Sequence, residues 1–469
     1  MLRTLRTLQS AGATDRRPIL TEVVETLKLA VPLALTQLGQ IAMFTTDLAL
    51  IGRLGDTYLA AGALAHTVLF ATFLLGMGLV SAVAPLTAQA VGAGDDRLVR
   101  RSLRVGIHAA LALAVPTIAL VQIYSEPMLV ALGQVPAVAK DAAVYLSSLI
   151  WAVVPGWVFL AMRGYISAVG SAQPTLWITV AAIPLNLALA YVLIFGGFGI
   201  PALGLVGAGL ATTIVNTGTC LAALWVVTRW HTYARYEPLV RFWRPDWAHF
   251  AKLMIVGLPI AAAMSLEHGL FTASNLMAGG FGVPQLAAHQ IALQFAAIAF
   301  MIPLGIGMAA SVRVGLAFGA GNPASARRAG FVALGLGVIV TVATMIATIA
   351  ASSIVPMFFL GAETEANRAT FQLASALMIF AAAFFIVDGL QTVAAGALRG
   401  FNDTAVPMLL AAFSFWGIGF PASWYLTYTL DFGVRGIWIG LLIALACYAA
   451  SLIWRFELMS RAPSDRVGL

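Results

Sequence analysis

Apolar stretches of about 20 residues follow one another along nearly the whole chain, parted only by short polar connections, and this is the length an α-helix needs to cross roughly 30 Å of hydrocarbon. Inside lipid every backbone N–H and C=O must be bonded internally, so helices or a closed barrel are the only spanning choices. A barrel would show short alternating strands, which this chain lacks. Twelve spanning helices are predicted, near 27–51, 59–82, 102–123, 142–162, 173–195, 204–228, 253–278, 286–311, 329–351, 370–397, 405–428 and 434–456. The composition agrees: 61% of the 469 residues are hydrophobic, 10% are charged, and the mean hydropathy is +0.94, outside the range of soluble domains.

A net charge of +7 and a pI near 9.7 would suit a nucleic-acid binder, but the positions of the basic residues speak for membrane topology. With a cytoplasmic N-terminus, 22 of the 26 Lys and Arg fall in inner segments, and only Arg53, Lys140, Arg368 and Arg435 fall outside. The expectation is an all-α integral membrane protein of the bacterial inner membrane with both termini cytoplasmic. Residues 1–26 form an N-terminal arm without the apolar core and small-residue cleavage site of a signal peptide, and residues 457–469 form a tail. Cys220 and Cys447 both lie in predicted spans; two such thiols make neither a disulfide framework nor a metal cluster and are read as packing residues.

The chain also repeats itself. Val31-Pro32-Leu33-Ala34 matches Leu258-Pro259-Ile260-Ala261, and Gly92-Ala93-Gly94 with Arg100-Arg101 matches Gly319-Ala320-Gly321 with Arg327-Arg328, in both cases 227 residues on. Met162-Arg163-Gly164 echoes Leu398-Arg399-Gly400, and Gly204 with Gly207 echoes Gly433 with Gly436, at shifts of 236 and 229. The chain is therefore two six-helix lobes, 27–228 and 253–456. Six being even, both lobes enter from the same side and are related by a pseudo-twofold axis along the membrane normal, with a cavity between them. The polar stretch 229–252, with Trp230, Tyr233, Trp243 and Trp247 among basic residues, reads as a cytoplasmic linker on the membrane surface. Its basic and aromatic interleaving also describes a nucleic-acid site, but it is short and tied to a span at each end, so no nucleic acid is expected.

Three carboxylates lie inside apolar runs: Asp47, Glu267 and Asp388. An ionised Asp at the bilayer centre costs roughly 2.5–3.5 kcal/mol on the translocon scale, so such residues are usually kept for work, here for taking up and releasing cations while a substrate crosses, the alternative being structural residues bonded to neighbouring helices. Helix rise places Glu267, fifteen residues past Lys252, and Asp388, eleven before Arg399, roughly 22 and 16 Å from the cytoplasmic level. Asp47, nineteen residues past Lys28, lies nearer the outer side. No Lys or Arg inside a span is expected to pair with them. The same helix faces carry Met264, Phe271 and Ser274, then Phe384, Phe385, Gln391 and Thr392, then Gln40, Met43 and Phe44, a mixture of polar groups, rings and sulfur that suits apolar cations. Asn186, Asn216, Asn275, Gln290 and Gln294 are further intramembrane polar groups, although each can equally be helix-bonding glue. Of the histidines, only His268, beside Glu267, is a functional candidate. The repeat pairs Gln40 with Glu267 and Asp47 with Ser274, so the lobes cannot share one cation chemistry.

Gly257-Leu258-Pro259-Ile260 with Glu267, the run Ala288-His289-Gln290-Ile291-Ala292-Leu293, and Asp388-Gly389-Leu390-Gln391 leading to Ala397-Leu398-Arg399-Gly400 resemble the multidrug and toxic compound extrusion (MATE) family, in its NorM-like branch. The resemblance runs from about Glu22 to Arg455. It implies twelve helices in two lobes around a cleft, and antiport of organic cations against Na⁺ or H⁺, leaning to Na⁺. It places Glu267 and Asp388 on the coupling acids of the second lobe, a candidate Na⁺ site, and Asp47 on the acid of the first helix. Phe384 stands where relatives can carry a tyrosine, and Ala190 where some carry a second asparagine.

A lipid-linked oligosaccharide flippase would share the two lobes, but its cavity needs cationic side chains for phosphates. An enzyme would need convergent catalytic groups, and the sequence carries no HExxH, paired metal ligands or nucleophile motif. The expectation is thus a transporter with no cofactor, working as a monomer on small organic cations in contact with membrane lipids.

Overall fold

The computed structural model describes residues 18–197 and 199–461. Arg3, Arg6, Arg16, Arg17 and Arg466, counted above on the inner side, lie outside the described residues, as does most of the predicted arm and tail.

Twelve long helices carry the fold: α1 (Pro18–Gly52), α2 (Asp56–Gly92), α3 (Asp96–Ala131), α4 (Pro136–Val169), α5 (Gln173–Phe195), α6 (Gly204–Arg229), α7 (Trp247–Gly279), α8 (Val283–Gly319), α9 (Pro323–Ala350), α10 (Arg368–Gly400), α11 (Ala405–Thr429) and α12 (Val434–Arg461). Eleven of them, α2 to α12, are long and apolar enough to cross a membrane; α1 has 35 residues and carries Glu22, Glu25, Lys28 and Asp47 along its length. Several helices overrun the predicted spans. α1 starts nine residues before 27, α3 runs eight past 123, and α7 begins inside the predicted linker, because backbone bonding continues into the interface beyond the apolar window. Short helices, His231–Ala234 and Ile354–Leu360, fill two of the connections.

The repeat is visible in the turns. Gly55 and Gly282, 227 apart, precede α2 and α8 at φ of 130° and 109°, and Gly94 and Gly321, again 227 apart, follow the same helices at 70° and 68°. Only glycine takes such angles without strain. Asp95 and Asn322 then cap the next helix, Asp95 accepting from Arg97 and Leu98 N–H and Asn322 from Ser325 N–H.

α2 to α6 pack mainly among themselves, as do α8 to α12, while α1 and α7 also pack heavily across the boundary. The two lobes meet where α1 and α2 lie against α8, and α2 against α7. The interface is duplicated too. Gly78 sits against the backbone of Ala261 while Gly305, its repeat partner, sits against Ala34, the partner of Ala261; Gly92 touches the Leu316 carbonyl while Gly319 touches that of Gln89. A Cβ at any of these four glycines would collide with the other lobe. All four lie toward the basic face, the one where α1 begins and α12 ends, and there the lobes are further joined by Gln89, which donates to the Gly400 carbonyl (2.8 Å) and accepts from Asn402 (2.7 Å), and by a two-bond ion pair between Glu22 and Arg313 (2.7 and 2.8 Å). The linker is strapped to α3: Arg100 donates to the Tyr236 carbonyl and Arg101 pairs with Asp246, the N-cap of α7.

Candidate functional site

α7 brings Glu267, and α10 brings Asp388 with Gln391 one turn on, to one point inside the second lobe. A single amide holds both acids: Gln391 Nε2 donates to Glu267 Oε1 at 2.8 Å and to Asp388 Oδ1 at 3.3 Å. Asp388 and Gln391 are 5% and 3% exposed, and Phe384 (1%) and Phe385 (3%) close the site from the side, with Phe271 edge-on to Phe384 at 6.0 Å. Beyond Asp388 lies a small cavity lined by Ala299, Phe300, Pro303, Thr341, Thr344 and Phe385. The two threonine hydroxyls donate to backbone carbonyls of their own helix, so their oxygen lone pairs are available to the cavity. Asp388 and these two hydroxyls give the cavity oxygen donors, the kind that suit a hard cation or a proton. The threonines were missed in the sequence; their spacing of three along α9 is the signal that could have found them.

The acid of the first lobe is held differently. Asp47, 2% exposed, accepts from Asn186 Nδ2 at 2.6 Å on one oxygen and from Thr212 Oγ1 at 2.8 Å on the other. Thr212 was also missed, although it lies one turn from Asn216, whose amide donates to its carbonyl. Among the described residues Ser274, which the repeat pairs with Asp47, bonds only to the Phe271 carbonyl.

Among the described residues no Lys or Arg pairs with Asp47, Glu267 or Asp388, as expected, but two arginines do reach into the lobes. Arg163 on α4, 3% exposed, donates to Gln37 Oε1 of α1, and Arg399 on α10 lies within electrostatic reach of Glu267. By position along the chain both mark the membrane surface, but an arginine near a helix end extends toward its own N-terminus and so reaches inward here. Arg399 forms no ion pair within 4.0 Å of Glu267, so the acid is not locked to it.

Comparison with known proteins places this arrangement. The MatE family model matches residues 32–192 and 259–425, one segment in each lobe. The chain belongs to the MATE family. It is 52% identical to a probable multidrug resistance protein NorM of Bradyrhizobium diazoefficiens over 440 residues, 94% of each chain, and 54% identical to one of Rhodopseudomonas palustris over 94% of this chain and 93% of that one. The crystal structure of the eukaryotic MATE transporter AtDTX14 superposes with a TM-score of 0.85 at 20% identity over 96% of this chain and 100% of that one, and MATE in complex with MaD3S with 0.84 at 19% over 97% and 100%. These structures share its fold.

Within this MATE chain the remaining candidates divide by burial. Asn186, Ser274, Phe384, Phe385 and Gln391 are inside the lobes, bonded or packed, and do not line an open surface. Gln40, Met43, Phe44, Met264 and Phe271 are half-buried, while Gln290, bonded to Asn275, and Gln294 are exposed. His268 does not bond Glu267; its ring lies against Phe70 of α2, at 5.3 Å, across the lobe boundary. Cys220 and Cys447 are free.

Proposed function

We propose that this MATE transporter exports organic, mostly cationic drugs in exchange for Na⁺ or H⁺, with Glu267 and Asp388 as the coupling acids and Asp47 as a supporting one. The observation that carries the assignment is the shared Gln391 amide, which brings together two carboxylates, Asp388 buried and Glu267 half-buried. Two acids so close titrate as a pair, one holding a proton or Na⁺ while the other changes state. The multidrug resistance names of its close relatives support the substrate class. The lobes fall at 27–228 and 253–456, the basic face is cytoplasmic with both termini on it, the membrane is the bacterial inner membrane, and the functional unit is a monomer whose cleft lies within one chain.

In this reading the glycine approaches close the cytoplasmic side and the cleft opens outward, past the half-buried Met43, Phe44, Met264 and Phe271. From outside, an ion reaches Glu267 and Asp388, their altered charge repacks α7 and α10, and drug affinity falls; rocking of the lobes then releases the ion inside. At a potential of about 100 mV, each inward charge supplies roughly 2.3 kcal/mol, about a fiftyfold concentration bias. The test is ethidium transport by purified protein in liposomes under separately imposed Na⁺ and H⁺ gradients. Glu267→Gln or Asp388→Asn should abolish the driven flux while the protein stays folded; wild-type flux from either removes that residue from the mechanism.

A further inference from the structure

Arg399 is a charge inside the second lobe for which the mechanism above has no use. It stands one residue before the end of α10, eight residues past Gln391, or roughly 12 Å along the helix, and its side chain leans back toward that residue. A second small cavity surrounds it, lined by Pro259, Ala263, Asp403, Thr404, Pro407 and Tyr448. Ala263 lies one turn before Glu267 on α7, so this cavity lies on the cytoplasmic side of the coupling acids. Arg399 is within electrostatic reach of Glu267 and of Tyr448.

Among the described residues the Arg399 guanidinium has no hydrogen-bond or ion-pair partner in this conformation. Asp403, the acid that lines this cavity, is taken by Arg455 at 2.7 Å, and the Glu267 carboxylate beyond it is taken by Gln391. Its repeat counterpart shows that this is a specific loss. Arg163 is tied to Gln37 of α1, and the position 227 residues beyond Gln37 is Met264, which offers no oxygen. The first lobe binds its arginine down; the second leaves it loose beside the acid that exchanges ions.

Resting on the coupling role assigned to Glu267, we propose that Arg399 is a tethered counter-ion. It takes the Glu267 carboxylate as the coupling ion departs into the cytoplasmic cavity, and yields it when the next ion arrives from outside. A guanidinium and a free cation compete for the same carboxylate, and a bare carboxylate in a dry site is costly, so the built-in cation makes release easier and lets the emptied lobe relax back neutral. Ion binding from outside is correspondingly weaker than the acids alone would give. Arg399 is a positioning residue here, and it acts through Glu267.

In proteoliposomes, flux is measured against outside Na⁺ and against outside H⁺ for wild type, Arg399→Gln and Arg399→Lys. The Gln variant is expected to half-saturate at an ion concentration lower by about tenfold or more, the low end of what an opposite charge does to a carboxylate, with a lower maximal rate. The Lys variant, which keeps the charge, should half-saturate with wild type. A fall in maximal rate with unchanged half-saturation in both variants marks a merely structural arginine and overturns the proposal. Met264→Gln is the independent handle should Arg399→Gln not fold: restoring the acceptor found in the first lobe should tighten ion binding in the same direction, and an unmoved half-saturation counts against the idea. Failure of the underlying reading is distinct, because there Glu267→Gln itself would keep ion-dependent flux.

Discussion

The two lobes are built from one repeat, yet they hold their acids by opposite means. In the first, Asp47 has a neutral donor on each oxygen, Asn186 and Thr212, both from its own lobe. In the second, Glu267 and Asp388 must share one Gln391 amide, with a loose arginine nearby. A carboxylate satisfied by fixed donors has little reason to exchange a cation, whereas two that compete for one donor gain from a third partner. The interface between the lobes kept its symmetry and the acid sites lost theirs: close approach of backbones admits one solution, glycine, on either side, while ion coupling needs only one lobe to be poised.

This contrast can be broken most directly by neutralising the acids in turn. Glu267→Gln and Asp388→Asn should reduce ion-driven ethidium flux to background, whereas Asp47→Asn should slow it but leave a measurable driven component; equal loss from all three would erase the distinction. Next in size are the interface glycines. Gly92→Ala and Gly319→Ala each put a methyl group on a carbonyl of the opposite lobe, and overpacking of this kind costs about 1–3 kcal/mol. The two should open the proposed cytoplasmic side alike, read as labelling by a thiol reagent of a cysteine placed at Ala93 or Ala320 in inside-out vesicles. Unequal opening would show that the symmetry of the contact is not a symmetry of energy.

Thr212→Val should be milder, removing one of two donors to Asp47 for about 1–3 kcal/mol of stability, seen in thermal unfolding in detergent, with the ion dependence of flux unchanged. The smallest effect concerns the linker. Arg101, bonded to Asp246, holds that carboxyl below its ordinary range. A depressed folded value contributes stability above the unfolded one and loses it as the pH falls through the folded one. Wild type should thus be steady around neutral pH and lose stability in acid, below the usual aspartate range, and Asp246→Asn should flatten that part of the stability curve.

Much of this was legible before any coordinates. The length of the apolar runs demanded spanning helices, a one-dimensional consequence of the bilayer, and the 227-residue repeat paired them, because a duplication is written along the chain. Helix rise already set Glu267 and Asp388 at similar depth. What could not be seen was Gln391 reaching both acids, Thr212 closing on Asp47, or Thr341 and Thr344 beside Asp388, since those depend on how helices rotate against one another. The inward reach of Arg163 and Arg399 is hidden for the same reason: a charge near a helix end looks interfacial until the direction of its side chain is known.

By itself the sequence determined a helical membrane protein of two homologous lobes with acids in its interior, since hydropathy, charge and repetition are written along the chain and the bilayer reads them there. Only the tertiary structure decided which acids share a donor, which arginine is bound and which is loose. Those outcomes turn on ångström-scale rotation between packed helices, to which the order of residues along any one helix is blind.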